Sequence, residues 1–185
     1  LVDNRVHARY EVTDETAVPV LTDLLVHGDA HLISFMDHTP GQGQFKSVEA
    51  YRNYLGKTYK KSDEEFDAIL QQKLKAAQGA TARMEALASV AKAHGVSIAS
   101  HDDDSPAKVD IVQSLGAVIS EFPINLETAQ AAKDKGLATL FGAPNILRGK
   151  SQSGSMRALD AVINKVADCL CGDYSPAALL PAALA

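Results

Sequence analysis

Short apolar runs and amphipathic stretches alternate along the whole chain. Six of the runs have the length and composition of strands: residues 6–12, 32–38, 96–100, 117–123, 138–144 and 167–174. The first run alternates with period two, which places His7, Arg9 and Glu11 on one polar face. Strands that alternate with helices predict an α/β fold with a parallel sheet and right-handed crossovers.

Helix signals occupy the segments between these runs. Residues 13–26 have helical spacing and are followed by Gly28, and residues 126–135 lie between an Asn125 cap and Gly136. Ser105 and Pro106 have the residue types of an N-cap and a first helical position. A loop is expected to lead from the fifth strand to a helix that begins near residue 155, and a last helix is expected after residues 175–176.

Residues 44–95 form a long charged insertion between the second and third strands. A capping box that begins at Ser62 opens a helix with apolar spacing at Phe66, Ile69 and Leu70. The charged residues of the insertion are most simply a solvated face. A lid over the neighbouring strand ends is the alternative, because long insertions at such positions often cover sites.

Polar side chains lie at the carboxyl ends of four of the six strands, namely Glu11, His38, His101 and Asp173. An open doubly wound sheet collects its polar strand ends at one switch point, whereas a barrel mouth collects them from many strands. We therefore predict one domain, residues 1–185, with the fold of an incomplete (β/α)8 TIM-type barrel of about six units. A six-stranded open sheet is the structural alternative.

Two histidines and two carboxylates at strand ends are a ligand mixture that holds divalent transition metals. His7 is an alternative ligand or a partner of Glu11. The three aspartates directly after His101, residues 102–104, are interpreted as solvated charge at a helix entry, with a functional role for Asp102 as the alternative. Mixed nitrogen and oxygen ligands admit Zn, Mn, Fe or Ni, so the pattern does not select the ion.

Composition narrows the class of protein. The 185 residues are 46% hydrophobic and 22% charged with a net charge of −5, which fits a globular protein and disfavours nucleic acid or a membrane surface as partner. No apolar run has the ~20 residues of a membrane span and no signal peptide is recognisable, so we expect a cytoplasmic protein. Cys169 and Cys171 are expected to be small buried side chains.

Five motifs, MDHTPGQGQF, ASHDD, SEFP, GAPNILRG and GDYSPAALL, resemble one family in the same order. It is the α-D-ribose 1-methylphosphonate 5-triphosphate diphosphatase family of the carbon-phosphorus lyase pathway, a branch of the amidohydrolase superfamily. The resemblance implies a metal-dependent barrel hydrolase of phosphonate metabolism that releases pyrophosphate from a ribose 5-triphosphate. It also implies that the chain is an internal fragment, because the superfamily's first metal-binding histidines would precede Leu1.

The same resemblance assigns roles to the strand-end residues. It implies that Glu11 is a bridging metal ligand, that His38 and His101 are ligand histidines, and that Asp173 binds metal and accepts the proton of the attacking water. Anionic phosphates also need cations and amide donors, which Arg148, Lys150 and the loop 151–155 could supply. We therefore predict substrate contacts at Asn145, Arg148, Lys150 and Ser153. The alternative is that this loop is only a connector.

Two other functions stay open. A different amidohydrolase reaction, on an amide or a nucleobase, would use the same metal ligands without the phosphate loop. A fragment without catalysis could instead associate through exposed sheet edges, so a homo-oligomer is possible. The partner expected from the resemblance is a small phosphorylated ribose, with no nucleic acid and no membrane.

Overall fold

The computed structural model describes residues 2–41, 47–59, 62–151 and 154–185. It contains six strands: β1 (His7–Glu11), β2 (Leu32–Met36), β3 (Ser97–His101), β4 (Ala117–Glu121), β5 (Ala138–Gly142) and β6 (Cys169–Cys171). The helices are α1 (Ala17–His27), α2 (Val48–Tyr59), α3 (Asp63–Ala77), α4 (Ala80–Ala93), α5 (Pro106–Ser114), α6 (Leu126–Asp134), α7 (Ala143–Arg148), α8 (Ala158–Ile163) and α9 (Leu179–Leu184).

The six strands belong to one sheet, in which neighbours follow the chain order from β1 to β6. The pairs β1–β2, β3–β4, β4–β5 and β5–β6 are all parallel. The predicted alternation of parallel strands and helices is confirmed. Within the described residues the sheet is open, as an incomplete barrel requires.

Residues 1–97 form a first compact unit. Alternation along β1 buries Ala8 and Tyr10 and leaves His7 and Arg9 exposed, which confirms the polar face. The ring of Tyr10 meets Phe35 of β2 edge-on, with 6.3 Å between centroids. Helix α1 packs against α4. The apolar side chains of β1 and β2 belong to the core, whereas the other side of β1 carries polar side chains.

The described residues of the insertion are mainly helical, as its spacing predicts. Ser62 caps α3 with both hydrogen bonds of a capping box, and Tyr51 of α2 packs on Phe66 of α3 in a small core of their own. The guanidinium of Arg52 lies 4.0 Å from the centre of the Phe66 ring. Helices α2 and α3 therefore hold each other through apolar and cation–π contacts.

Residues 98–185 form a second compact unit. The caps predicted at its helices are present: the hydroxyl of Ser105 accepts the backbone N–H of Lys108, and the amide oxygen of Asn125 accepts that of Thr128. A core that includes Ala129, Phe141, Ala158, Ala161 and Val166 joins β5 to helices α6 and α8.

Three local expectations for the second unit are wrong. The segment after β5 is not a loop but the helix α7, and α8 begins at Ala158, three residues later than expected. Cys169 is exposed and Cys171 is half-buried, because β6 spans only three residues at the end of the sheet order. Burial nevertheless raises the pKa of the Cys171 thiol.

Candidate active site

Glu11 and His38 form a hydrogen-bonded pair at the carboxyl ends of β1 and β2. His38 Nδ1 donates to Glu11 Oε2 at 2.7 Å, while the His38 backbone N–H and the Thr13 hydroxyl reach Oε1 at 3.3 and 3.1 Å. Burial raises the pKa of Glu11, but the hydrogen bond from His38 and the ammonium of Lys73 outweigh it and hold that pKa below its ordinary value. The carboxylate is thus ionised at neutral pH and fixes the imidazole tautomer with the proton on Nδ1.

This pairing turns Nε2 of His38 away from Glu11. A carboxylate that accepts from one ring nitrogen and leaves the other for coordination is a recurrent partner of metal-binding histidines. His7, the alternative partner of Glu11, instead has its Nε2 at 2.9 Å from the hydroxyl of Ser34. The contacts of Glu11 are therefore with His38, Thr13 and Lys73.

The insertion reaches the same strand end. Lys73 of α3 lies with Nζ 3.6 Å from Glu11 Oε1, and Arg83 of α4 donates from Nε and Nη2 to the Val12 carbonyl at 3.0 and 2.8 Å. At these two positions the basic residues of the insertion are not the solvated face that the charge pattern suggests. They fasten the insertion to the carboxyl end of β1.

His101 ends β3 with a side chain that is 9% exposed. Its Nδ1 lies 3.4 Å from Asp102 Oδ2, and its ring packs at 5.1 Å on the ring of Phe122, which follows β4. Asp102 and Phe122 both have positive φ, 54° and 55°, the left-handed region that residues other than glycine rarely adopt. The backbone therefore turns sharply where β3 and β4 end.

The expectation that residues 102–104 are solvated is wrong for Asp103. Its side chain is 0% exposed, and the hydroxyls of Ser100 and Ser120 both donate to its Oδ2 at 2.5 Å. Burial raises its pKa, and the two hydrogen bonds offset only part of that effect. Within the described part of the chain, Oδ1 has no hydrogen-bond partner. Sequence reasoning missed this residue; the serine hydroxyls of β3 and β4 are the only signal, and a weak one.

Asp173 lies exposed in the turn after β6, with φ of 48°. The Ser175 N–H donates to the Gly172 carbonyl at 2.7 Å, and a Cβ on Gly172 would stand 2.8 Å from the backbone of Pro176, so only glycine fits there. Phe122 and the carboxylate of Asp173 both approach Gly142, which ends β5. The second unit thus brings His101, through Phe122, and Asp173 toward the same strand end.

Two of the predicted substrate residues, Arg148 and Asn145, make hydrogen bonds within the second unit. Arg148 donates from Nε to the Lys150 carbonyl at 3.1 Å and from Nη1 to the hydroxyl of Tyr174, the neighbour of Asp173. Lys150 is exposed. Asn145 uses its amide to join two helices, since Nδ2 donates to the Met156 carbonyl at 3.2 Å and Oδ1 accepts from the Ala158 N–H at 2.9 Å.

The fourth predicted substrate residue, Ser153, lies outside the described residues. In the remainder of the loop, residues 151 and 154–155 are described. The predicted phosphate contact at this loop therefore rests on Arg148 and Lys150. Across the described ranges, no helix is both long and apolar enough to cross a membrane.

Solved structures of several enzymes resemble the chain weakly. Dihydropteroate synthase from Thermus thermophilus is 12% identical with a TM-score of 0.46, covering 97% of this chain and 82% of its own. Tryptophan synthase from M. tuberculosis, in its open form with BRD0059 bound, is 14% identical with a TM-score of 0.41, covering 95% and 89%. The fold assignment rests on the strand order and not on these similarities.

No protein-family model matches the sequence. A curated relative does: the alpha-D-ribose 1-methylphosphonate 5-triphosphate diphosphatase of Escherichia coli (strain K12) is 38% identical over 182 residues. The match covers 98% of this chain but 48% of the relative, so the chain spans about half the length of that protein. The resemblance predicted from the sequence motifs is thereby confirmed, and the chain fits a segment of that diphosphatase.

Proposed function

We propose that the protein carrying this chain hydrolyses the phosphoanhydride of α-D-ribose 1-methylphosphonate 5-triphosphate and releases pyrophosphate. The observation that carries the proposal is the 38% identity to a diphosphatase of that name, which extends over nearly the whole chain. Carboxylate, imidazole and basic side chains at strand ends are consistent with it. The expected partner is a small phosphorylated ribose in the cytoplasm, with neither nucleic acid nor membrane involved.

We further propose a divalent metal ion, held by the predicted ligands Glu11, His38, His101 and Asp173. The group His38, His101 and Asp102 has donor types that suit such an ion, so Asp102 joins the proposed set. The orientation of His38 by Glu11 supports its role, because Nε2 is directed away from the carboxylate. When bound, a divalent ion lowers the pKa of water and neutralises charge on phosphate oxygens.

The residues of the chain supply the rest of the chemistry. Asp173 is an exposed carboxylate on a hydrogen-bonded turn, so it can accept a proton from the attacking water. Arg148 is oriented by the Lys150 carbonyl and the Tyr174 hydroxyl, which aims a cation beside that turn. A guanidinium there can hold phosphate oxygens while the anhydride bond breaks.

The test replaces Asp173 by asparagine in the complete protein. Asp173→Asn removes the proton acceptor and little volume, so we expect turnover of the ribose triphosphate to fall by on the order of 10²- to 10⁴-fold with an unchanged circular dichroism spectrum. Asp134→Asn, on an exposed face of α6, is the matched control and should keep turnover. Near-normal activity of Asp173→Asn would remove this residue from the mechanism.

Three further measurements test the metal, the reaction and the oligomeric state. Dialysis against a chelator should abolish turnover and a divalent ion should restore it, since the proposed ligands are carboxylate and imidazole groups that bind such ions. Substrate profiling decides the reaction: hydrolysis of an amide or a nucleobase, with no release of pyrophosphate, would replace the proposed function by another amidohydrolase reaction. A size measurement in solution tests the possible homo-oligomer.

A further inference from the structure

We propose that Lys73, in the insertion, binds the phosphate oxygens of the substrate and so selects for its charged arm. The inference rests on the proposed function for the identity of the substrate. It concerns a residue that sequence reasoning placed on a solvated face, and it gives the insertion a direct part in binding.

The insertion is fixed where such a contact would be needed. Two hydrogen bonds from Arg83 to the Val12 carbonyl hold α4 just beyond β1, and Arg83 also donates to the Ala76 carbonyl at the end of α3. One side chain therefore links α3, α4 and the end of β1. Lys73, one turn before Ala76, is carried to the same strand end by a braced helix and not by a loose surface segment.

The ammonium of Lys73 is partly shielded but keeps donor capacity. Its side chain is 24% exposed, with Nζ 3.6 Å from Glu11 Oε1 and 5.9 Å from the centre of the Tyr51 ring. The Nζ–Oε1 distance exceeds the donor–acceptor separation of an N–H···O hydrogen bond, which is about 3 Å. With these neighbours the ammonium is held in place electrostatically while its three N–H donors remain able to turn toward another acceptor.

The hydrogen bonds of Glu11 leave Lys73 able to serve a second acceptor. His38 and Thr13 already donate to the Glu11 carboxylate, which therefore does not depend on Lys73 for its hydrogen bonds. A lysine ammonium is a compact point charge that suits phosphate oxygens, and partial removal from water strengthens its pull on them. A polyphosphate arm meets that description better than an uncharged amide or nucleobase.

The experiment measures binding and turnover in the complete protein. Lys73→Met keeps the length of the stem and removes the charge, Lys73→Arg keeps the charge, and Lys75→Met removes an exposed lysine of the same helix as the matched control. We expect Lys73→Met to weaken binding of inorganic tripolyphosphate, measured by calorimetry, by about ten- to a hundredfold. Lys73→Arg should retain most of the affinity, and Lys75→Met should match the wild type.

The outcomes separate this inference from the proposed function. If the wild type does not hydrolyse the ribose triphosphate, but Lys73→Met still loses affinity for tripolyphosphate, the function fails and the anion contact stands. Unchanged affinity in Lys73→Met overturns the contact whatever the turnover, and a lower melting temperature with unchanged affinity leaves Lys73 as a structural ion pair. If Lys73→Met does not fold, amine acetylation of the wild type decides: tripolyphosphate should protect Lys73, and absence of protection refutes the inference.

Discussion

The buried carboxyl of Asp103 gives the sharpest test of how the second unit is held together. Ser120 of β4 donates to Asp103 Oδ2 at 2.5 Å, at a depth where both side chains are fully buried. Ser120→Ala removes that donor and changes little volume. Ser114→Ala, which deletes an exposed hydroxyl that donates within its own helix turn at 2.6 Å, is the matched control.

The expected loss follows from the type of bond. Removing one donor from a buried polar acceptor costs roughly 1–3 kcal/mol, and Ser100 remains as the second donor to Oδ2. For a domain of this size, each kcal/mol lowers the melting temperature by about 2–4 °C, so Ser120→Ala should lower it by about 2–12 °C. The control should stay within about 0.5 kcal/mol of the wild type.

Thermal unfolding followed by circular dichroism measures both variants. Ser100→Ala removes the other donor to Asp103 Oδ2, so the two single variants can be compared with the double variant. The Ser100 hydroxyl also lies 3.4 Å from the Ile119 carbonyl. We expect the double variant to lose more than either single one. If Ser120→Ala has the same melting temperature as the Ser114→Ala control, the hydrogen bond from Ser120 does not stabilise the second unit, and the reasoning fails.

Two further predictions concern other parts of the second unit. The hydrogen bond from Lys133 and the backbone N–H of Thr139 hold the pKa of Asp168 below its ordinary value, so its stabilisation is present above the unfolded pKa, about 3.9, and is lost as the pH falls through the folded pKa. Asp168→Asn should therefore flatten the acid side of a melting temperature against pH profile, and an unchanged profile would contradict this. Gly172→Ala should cost about 1–3 kcal/mol in urea unfolding, because its Cβ meets the backbone of Pro176; wild-type stability would show that the turn relaxes freely.

The strand and helix order could be predicted because each element is short and bounded by its own signals. All six strands begin within two residues of their apolar runs, and Ser105 and Asn125 cap the helices they precede. Period-two alternation in β1 also indicated the buried side of Tyr10 and the polar side of Glu11. These are local properties, and local properties are legible in a single sequence.

Contacts between distant residues could not be predicted in the same way. Three consecutive aspartates look solvated, and nothing in the triplet indicates that Ser120, on the next strand, buries Asp103. Lys73 looks like any lysine of a charged helix until α3 is placed beside Glu11. The helix α7 was missed because Pro144 and Gly149 punctuate a segment too short to have a helical period.

The left-handed residues after the strands set a limit on engineering. Asp102, Phe122 and Asp173 have positive φ and follow β3, β4 and β6, and such a backbone costs a residue with a side chain roughly 1–3 kcal/mol. Glycine would relieve that strain at each position, so a search for more stable variants will be drawn to them. Two of the three are proposed to work at the metal ion, and the third supports the ring of His101. A variant made more stable by substitution at these positions should therefore lose the proposed activity.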